Sequence, residues 1–363
     1  MRQTWALLID AYRELNHRRL FWVTMAITVI AVLAFAALGN DEEGLTILHW
    51  SIPIWFLSTE FFTNAEFYKF IFTELGVGWW LSWIATILAI ISTASIFPDF
   101  VGAGSVDLML SKPISRTRLF LTKFVTGLLF VTLQVTVFAV ASLLVIGIRG
   151  GAWEPWILIS IPIVVVFYSY LFCVQAVVGM MTRSAIASII AVMLFWMLCA
   201  GIQFADGVTL MARVTYEVSV DRDLRRLEGQ EEMLKRADDD ERPERKQRVE
   251  KIKEELADNR ETLETLTSVN YWLHFSNTIL PKTGETIGIL TRTLDTHANL
   301  NQLPRESPEE YQFGVEVNRE EFNARFESEI ERSHSIVWVI GTSLLFEAVI
   351  LGFGALWFAR KDF

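Results

Sequence analysis

Three polar side chains stand inside long apolar runs, and they are the first place to look for chemistry. Glu347 sits near the middle of an apolar run at 335–359. Gln134 lies at a similar depth in a run at 120–148, and Gln175 lies nearer the end of a run at 156–181. A carboxylate in hydrocarbon is expensive, so Glu347 must face a bundle interior, carry a proton or find a partner. Gln134 is the partner expected at matching depth. Such a polar patch either lines a pathway or clasps two helices, the clasp being worth under about 1–2 kcal/mol. Both readings stand, with the clasp slightly ahead.

No catalytic constellation accompanies these groups. The five histidines (His17, His49, His274, His297 and His334) lack metal-ligand spacing. Cys173 and Cys199 lie within apolar runs and read as small buried hydrophobes rather than a disulfide framework. There is no G-x-x-x-x-G-K-S/T phosphate loop, and Pro281-Lys282-Thr283-Gly284 is only a reversed echo of one. The chain therefore reads as a non-enzyme, with no catalytic residue, no metal site, no cofactor of its own and no base-reading site for nucleic acid.

The elements that position the polar groups follow from composition. The chain has 363 residues, is 52% hydrophobic and has a mean hydropathy of +0.35. That is too apolar for an ordinary soluble domain. The apolar residues collect into six runs, at about 20–38, 79–97, 120–148, 156–181, 185–204 and 335–359. A bilayer core needs about 20 residues of helix. The runs do not alternate as barrel strands do, so the expected fold is an all-α integral membrane protein of six spans. The first run is longer than the apolar region of a cleaved signal, which is about 7–15 residues.

Before the first span, residues 1–19 carry Trp5, Leu8, Ile9, Tyr12 and Leu15 at helical spacing, with Asp10, Arg13, Glu14 and His17 on other faces. This reads as an amphipathic helix lying in the membrane surface, or as a solvated lead-in. Residues 40–78 are rich in aromatics and acids. The Ile52–Leu57 run is too short to cross, and with Trp50, Trp55, Trp79, Trp80 and Trp83 it reads as an interfacial belt.

Charge sets the orientation. Outside a large polar insert at 205–334 there are 13 basic residues, and 11 of them face one side in this topology, including Arg18, Arg19, Lys112, Arg116, Arg118, Arg183 and Arg360. That side is expected to be cytoplasmic, with both termini there. The insert holds 19 basic and 29 acidic residues and alone supplies the net charge of −10. It is expected outside the cytoplasm.

Within the insert, Val249, Ile252, Leu256, Asn259, Leu263 and Leu266 follow a 3-4-3-4-3 spacing, and Val220, Leu224, Leu227, Glu231 and Leu234 nearly repeat it. Asp238–Pro243 breaks the pattern between them. The expectation is a coiled-coil hairpin over about 212–267, with Asn259 and Glu231 as polar seam positions; one long helix paired with another subunit is the alternative. Beyond it, Tyr271–Phe275 and Ile287–Leu290 suggest a piece packed back on the membrane surface.

The last candidate site is a polar island between the second and third spans, within 98–119. Asp107, Lys112, Arg116 and Arg118 surround the apolar Leu108-Met109-Leu110, and Pro113 fixes the exit. An apolar triplet with charged flanks suits docking into another protein's cleft, and equally suits a loop whose basic residues reach anionic lipid. Here a resemblance adds to the physics. The run Asp-Leu-Met-Leu-Ser-Lys-Pro-Ile-Ser-Arg-Thr-Arg-Leu-Phe-Leu-Thr-Lys, from Asp107 to Lys123, resembles the loop between spans two and three of ABC-2 type transporter permeases. Ala11–Leu15 through Leu20-Phe21-Trp22 resembles that family's elbow helix, and the Arg360–Phe363 ending its usual terminus. The likeness covers the membrane part and is nearest the branch grouped with copper-enzyme maturation, from which the large insert departs.

The resemblance implies a permease subunit of a bacterial cytoplasmic (inner) membrane exporter. It would associate as a dimer, or pair with a related permease. A separate phosphate-loop ATPase subunit would hold ATP and Mg and grip the island as a coupling helix through Asp107, Leu108, Met109, Lys112, Pro113, Arg116 and Arg118. Two rival readings remain: an ATPase-driven mechanical device acting on an envelope partner through the insert, and an ATP-independent membrane scaffold or sensor.

Overall fold

A computed structural model describes residues 19–42, 44–54, 58–59, 63–102, 115–298, 309–312, 315–333 and 335–360. In chain order the elements are α1 (Arg19–Ala37); strands β1 (Leu38–Asn40), β2 (Gly44–Ile47) and β3 (Trp50–Pro53); α2 (Asn64–Ile71); a π-helical stretch (Phe72–Ala85); α3 (Thr86–Thr93); and α4 (Ile96–Val101). After the island come α5 (Arg116–Val145), a short 3-10 helix (Pro155–Ile159), α6 (Ser160–Thr182), α7 (Ala185–Lys235), α8 (Arg242–Ile279) and α9 (Thr283–Ala298). The hairpin β4 (Glu309–Gln312) and β5 (Val315–Asn318) leads into α10 (Arg319–Ser333) and α11 (Ile336–Arg360). The chain is a predominantly helical multi-pass membrane protein: six helical segments are long and apolar enough to cross a bilayer.

Two boundaries differ from those expected. The second apolar segment begins at Asn64 rather than 79. Thr63 caps it, its hydroxyl accepting from the Glu66 amide while the Glu66 carboxylate accepts from the Thr63 amide. This capping box lies among aromatic residues that had concealed a helix start. The fifth segment does not stop near 204 but continues as one helix to Lys235. Two small antiparallel sheets, β1-β2-β3 and β4-β5, are added to the helical frame.

The chain divides into two compact units. The first comprises 1–197, 283–303 and 343–363. Its core is built largely from phenylalanines, among them Phe67, Phe72, Phe97, Phe120, Phe130, Phe167, Phe172 and Phe358. Helix α5 packs on both α1 and α6. Gly127 permits the α5–α6 approach, since a Cβ there would come within 2.2 Å of the Phe172 ring. The π-helical stretch has its own side-chain support: Ser82 Oγ donates to the Val77 carbonyl (2.6 Å) and Thr86 Oγ1 to the Leu81 carbonyl (2.8 Å), each five residues back. Helix α9 is part of this unit, with Leu290 and Leu294 in its core. Within the Ile287–Leu290 segment, Leu290 is fully buried against this core.

The second unit comprises 198–282 and 304–342. Its parts of α7 and α8 run antiparallel, turning at Asp238–Glu241, where Pro243 sits in the first turn of α8. Val220, Val249, Ile252 and Leu256 are buried along them. Helix α10 packs on α7 through Phe322, against Leu210, Val214 and Val218. The Arg325 guanidinium bonds Asp221 (2.6 Å) and Glu321 (3.0 Å), and the Asp221 contact raises the arginine pKa further.

Candidate functional site

The first site is the anchorage of the polar island. Asp107, Leu108, Met109, Lys112 and Pro113 lie outside the described residues; Arg116 and Arg118 lie within them. Ser115 caps α5, its hydroxyl accepting from the Arg118 amide (3.3 Å), so both arginines occupy the first turn of a helix entering the bundle.

On the other side of the island, α4 is tied down by aromatic contacts. Phe97 meets Phe120 of α5 at 5.3 Å and Phe172 of α6 at 6.0 Å between ring centroids. Phe100 meets Phe358 of α11 at 5.3 Å, and Phe124 stacks on Phe172 at 5.1 Å. Gly354 lets α11 close on this cluster, since a Cβ there would stand 2.8 Å from Val177 and 3.1 Å from Phe120. The segments entering and leaving the island therefore share one aromatic cluster with α6 and α11. Aromatic pairs of this kind contribute about 0.5–1.5 kcal/mol each beyond their burial.

The second site is the polar seam. Glu347, 9% exposed, accepts a hydrogen bond from Ser169 Oγ of α6 at 2.6 Å. The expected pairing of Glu347 with Gln134 is corrected. The Gln134 amide is 1% exposed, and neither its nitrogen nor its oxygen has a hydrogen-bond partner among the described residues. Gln134 belongs to α5, whereas the carboxylate is met by Ser169 of α6.

Gln175 forms a clasp of its own. Its Nε2 donates to the Ile90 carbonyl (2.7 Å), and Thr93 Oγ1 lies 3.3 Å from its Oε1 and 2.6 Å from the Tyr168 hydroxyl. Helix α3 is thereby pinned to α6. Tyr168, Thr93 and Ser169 were not singled out in the sequence, because hydroxyls in apolar runs are common and carry no spacing signal.

The second unit holds a polar cluster that the sequence did not reveal. Asp206 of α7 accepts from Asn270 Nδ2 and Asn277 Nδ2 of α8, both at 3.1 Å, and His274 Nδ1 stands 3.9 Å away. Arg213 Nη1 donates to Asn270 Oδ1 (3.3 Å) and Nη2 meets Glu329 at 3.2 Å. Lys282 is fully buried, its Nζ donating to the Thr278 and Leu280 carbonyls and lying 4.4 Å from the Trp338 ring centroid. His274 stacks on the same ring at 5.2 Å.

Higher in this unit, Asn259 Nδ2 donates to Asp223 Oδ2 (2.9 Å) and Ser219 Oγ (3.1 Å), while Glu231 pairs with Lys253 at 3.0 Å. The two expected polar seam positions thus have separate partners. Among the described residues no cluster of three or more His, Cys, Asp or Glu side chains has metal-binding geometry. No family model, curated protein or solved structure matches the chain.

Proposed function

We propose that this chain is the membrane-spanning permease subunit of an ATP-driven exporter, moved by a separate phosphate-loop ATPase that grips the 103–114 island. The observation that carries this reading is the Asp107–Lys123 sequence, with its resemblance to the coupling loop of ABC-2 type permeases, taken together with where its ends are held. Phe97 and Phe100 on one side and Phe120 and Phe124 on the other meet α6 and α11. A push on the island would tilt those helices. ATP and Mg belong to the partner subunit, and two permease chains would form the pathway in a bacterial cytoplasmic membrane with both termini inside.

A second reading keeps the ATPase and makes the α7–α8 hairpin, as a coiled coil, the moving part. It is favoured by the length of α7, whose 51 residues run without a break from an apolar segment into the charged arm. Here ATP hydrolysis would act mechanically on an envelope partner.

The test is affinity purification of the chain from native membranes in mild detergent, beside the Asp107→Ala, Arg116→Ala double variant. A near-equimolar ATPase that is lost in the variant is the expected result. If no ATPase accompanies the native chain, the permease reading fails and the island becomes a lipid-facing loop. Deleting 220–266 then separates the two ATPase-driven readings: an exporter keeps export, and a mechanical device keeps ATPase activity but loses its phenotype.

A further inference from the structure

Helix α8 changes character along its length. From Arg242 to Leu266, fourteen of twenty-five residues are charged; from Thr267 to Pro281 there is no Asp, Glu, Lys or Arg. The burial pattern inverts at the same place. In the charged part Val249, Ile252 and Leu256 face inward. In the uncharged part the inward residues are Asn270 and Asn277, bonded to Asp206, with Lys282 just beyond the helix end. The outward ones are Tyr271, Trp272 (66% exposed), Phe275 (53%) and Ile279 (60%). Trp272, Phe275 and Ile279 recur at three- and four-residue spacing and form one stripe.

Amides, a carboxylate and an ammonium turned inward, with aromatics turned outward, is the arrangement expected where the surrounding solvent is lipid. Water would favour the opposite. The pairing with α7 gives the depth. Gln203 Nε2 donates to the Pro281 carbonyl (3.0 Å), Asp206 meets Asn277 and Asn270, and Arg213 meets Asn270. The last turns of α8 are thus level with 203–213 of α7. On α7 the uncharged run that begins at Ala185 ends at Asp206. Phe275 and Ile279 therefore stand at the edge of the apolar zone defined by α7, and Tyr271 and Trp272 stand at the level where aromatic residues with a polar atom collect. Phe204 and Val208 of α7, and Ile336 and Val337 of α11, are exposed in the same unit.

We propose that the end of α8, Val269–Ile279, is a membrane-embedded wedge whose aromatic face is seated in phospholipid, with its ring atoms at the headgroup–acyl boundary on the insert side. The hairpin thus has a foot in the bilayer, fixed to α7 by the Asp206–Asn270–Asn277 bonds. This rests on the chain being a multi-pass membrane protein and is independent of any ATPase partner.

The test uses the full chain in vesicles of phosphatidylethanolamine and phosphatidylglycerol. Spin labels are placed at Phe275→Cys, Ile279→Cys and, as a water-facing control, Asp258→Cys, with Cys173 and Cys199 replaced by Ala. The expected result is more frequent collision with oxygen than with a water-soluble nickel chelate at 275 and 279, and the reverse at 258. Nickel exceeding oxygen at 275 and 279 overturns the proposal. A label shielded from both reagents also overturns it, and assigns the face to a protein contact instead. A second measurement leaves both cysteines in place: fluorescence quenching by lipids brominated on their acyl chains, with and without Trp272→Phe. Loss of part of the quenched emission in the variant is expected; an unchanged quenched fraction overturns the wedge.

Discussion

The two parts of helix α8 bury opposite kinds of side chain while packing against the same partner helix. In the charged arm the contact with α7 is mostly apolar, through Val220, Val249, Ile252 and Leu256, with one polar set where Asn259 meets Asp223 and Ser219. At the other end it is made by Asp206, Asn270 and Asn277. The difference teaches that the medium outside the helix pair decides which forces hold it. In water the pair gains by hiding aliphatic surface, at about 25 cal/mol per Å². Beside lipid that gain vanishes, because the alternative to a helix contact is equally apolar, and directional hydrogen bonds take over.

The largest effect should come from breaking the polar end. Asp206→Ala leaves two buried asparagine amides without their acceptor, and each such orphan costs about 1–3 kcal/mol. A loss of about 3 kcal/mol is expected, read as a shift in thermal or denaturant unfolding of the full chain in lipid. Asp206→Asn, which restores an acceptor oxygen, should recover part of it. If Asp206→Ala leaves stability unchanged, the claim that hydrogen bonds hold this end is wrong. In the arm, Leu256→Ala removes a buried aliphatic side chain from a two-helix contact. A loss of about 2 kcal/mol is expected, at the low end for such truncations because a narrow seam can partly collapse. That loss should persist in detergent, since it depends on water rather than on lipid.

How legible these contacts were follows the same division. The arm was readable because apolar residues at 3-4 spacing announce an inward face, and the turn at Asp238–Pro243 falls where the pattern breaks. The six apolar segments were readable for a similar reason, since length and hydropathy act over about 20 residues. The polar contacts were not. Ser169 meeting Glu347, and Thr93 and Tyr168 joining Gln175, depend on which faces of distant helices come together, and no local spacing encodes that. The start of α2 was hidden because its signal is a four-residue capping box inside an aromatic stretch. Asp223, buried beside Asn259, escaped notice because an acidic residue on a charged helix is normally solvated.

A smaller effect sharpens the contrast from outside the helix pair. Phe275→Asp places a charge on the outward aromatic face. Near a bilayer interface such a substitution costs about 1 kcal/mol or less, well below its cost at the midplane. The expected outcome is a loss of about 1 kcal/mol in vesicles. Leu263→Asp is the arm counterpart: it introduces the same charge at a half-buried seam position, where the loss should be similar in vesicles and in detergent. If Phe275→Asp is neutral in vesicles, its face is in water and the inverted pattern has another cause.

The smallest effect concerns the interaction that looks most obvious in the arm. Lys253 and Glu231 join α8 to α7 at 3.0 Å, but their side chains are 49% and 42% exposed. An ion pair in that setting gains little, because water screens the attraction and two long side chains lose rotamer freedom in holding it. Lys253→Ala should therefore cost under about 0.5 kcal/mol, and added salt should shrink even that difference. The measurement is a double-variant comparison with Glu231→Ala in chemical unfolding. A coupling well above 1 kcal/mol would mean that the arm is held by charge as much as by its aliphatic seam, and the division between a water-driven arm and a hydrogen-bonded foot would have to be redrawn at Glu231 rather than at Leu266.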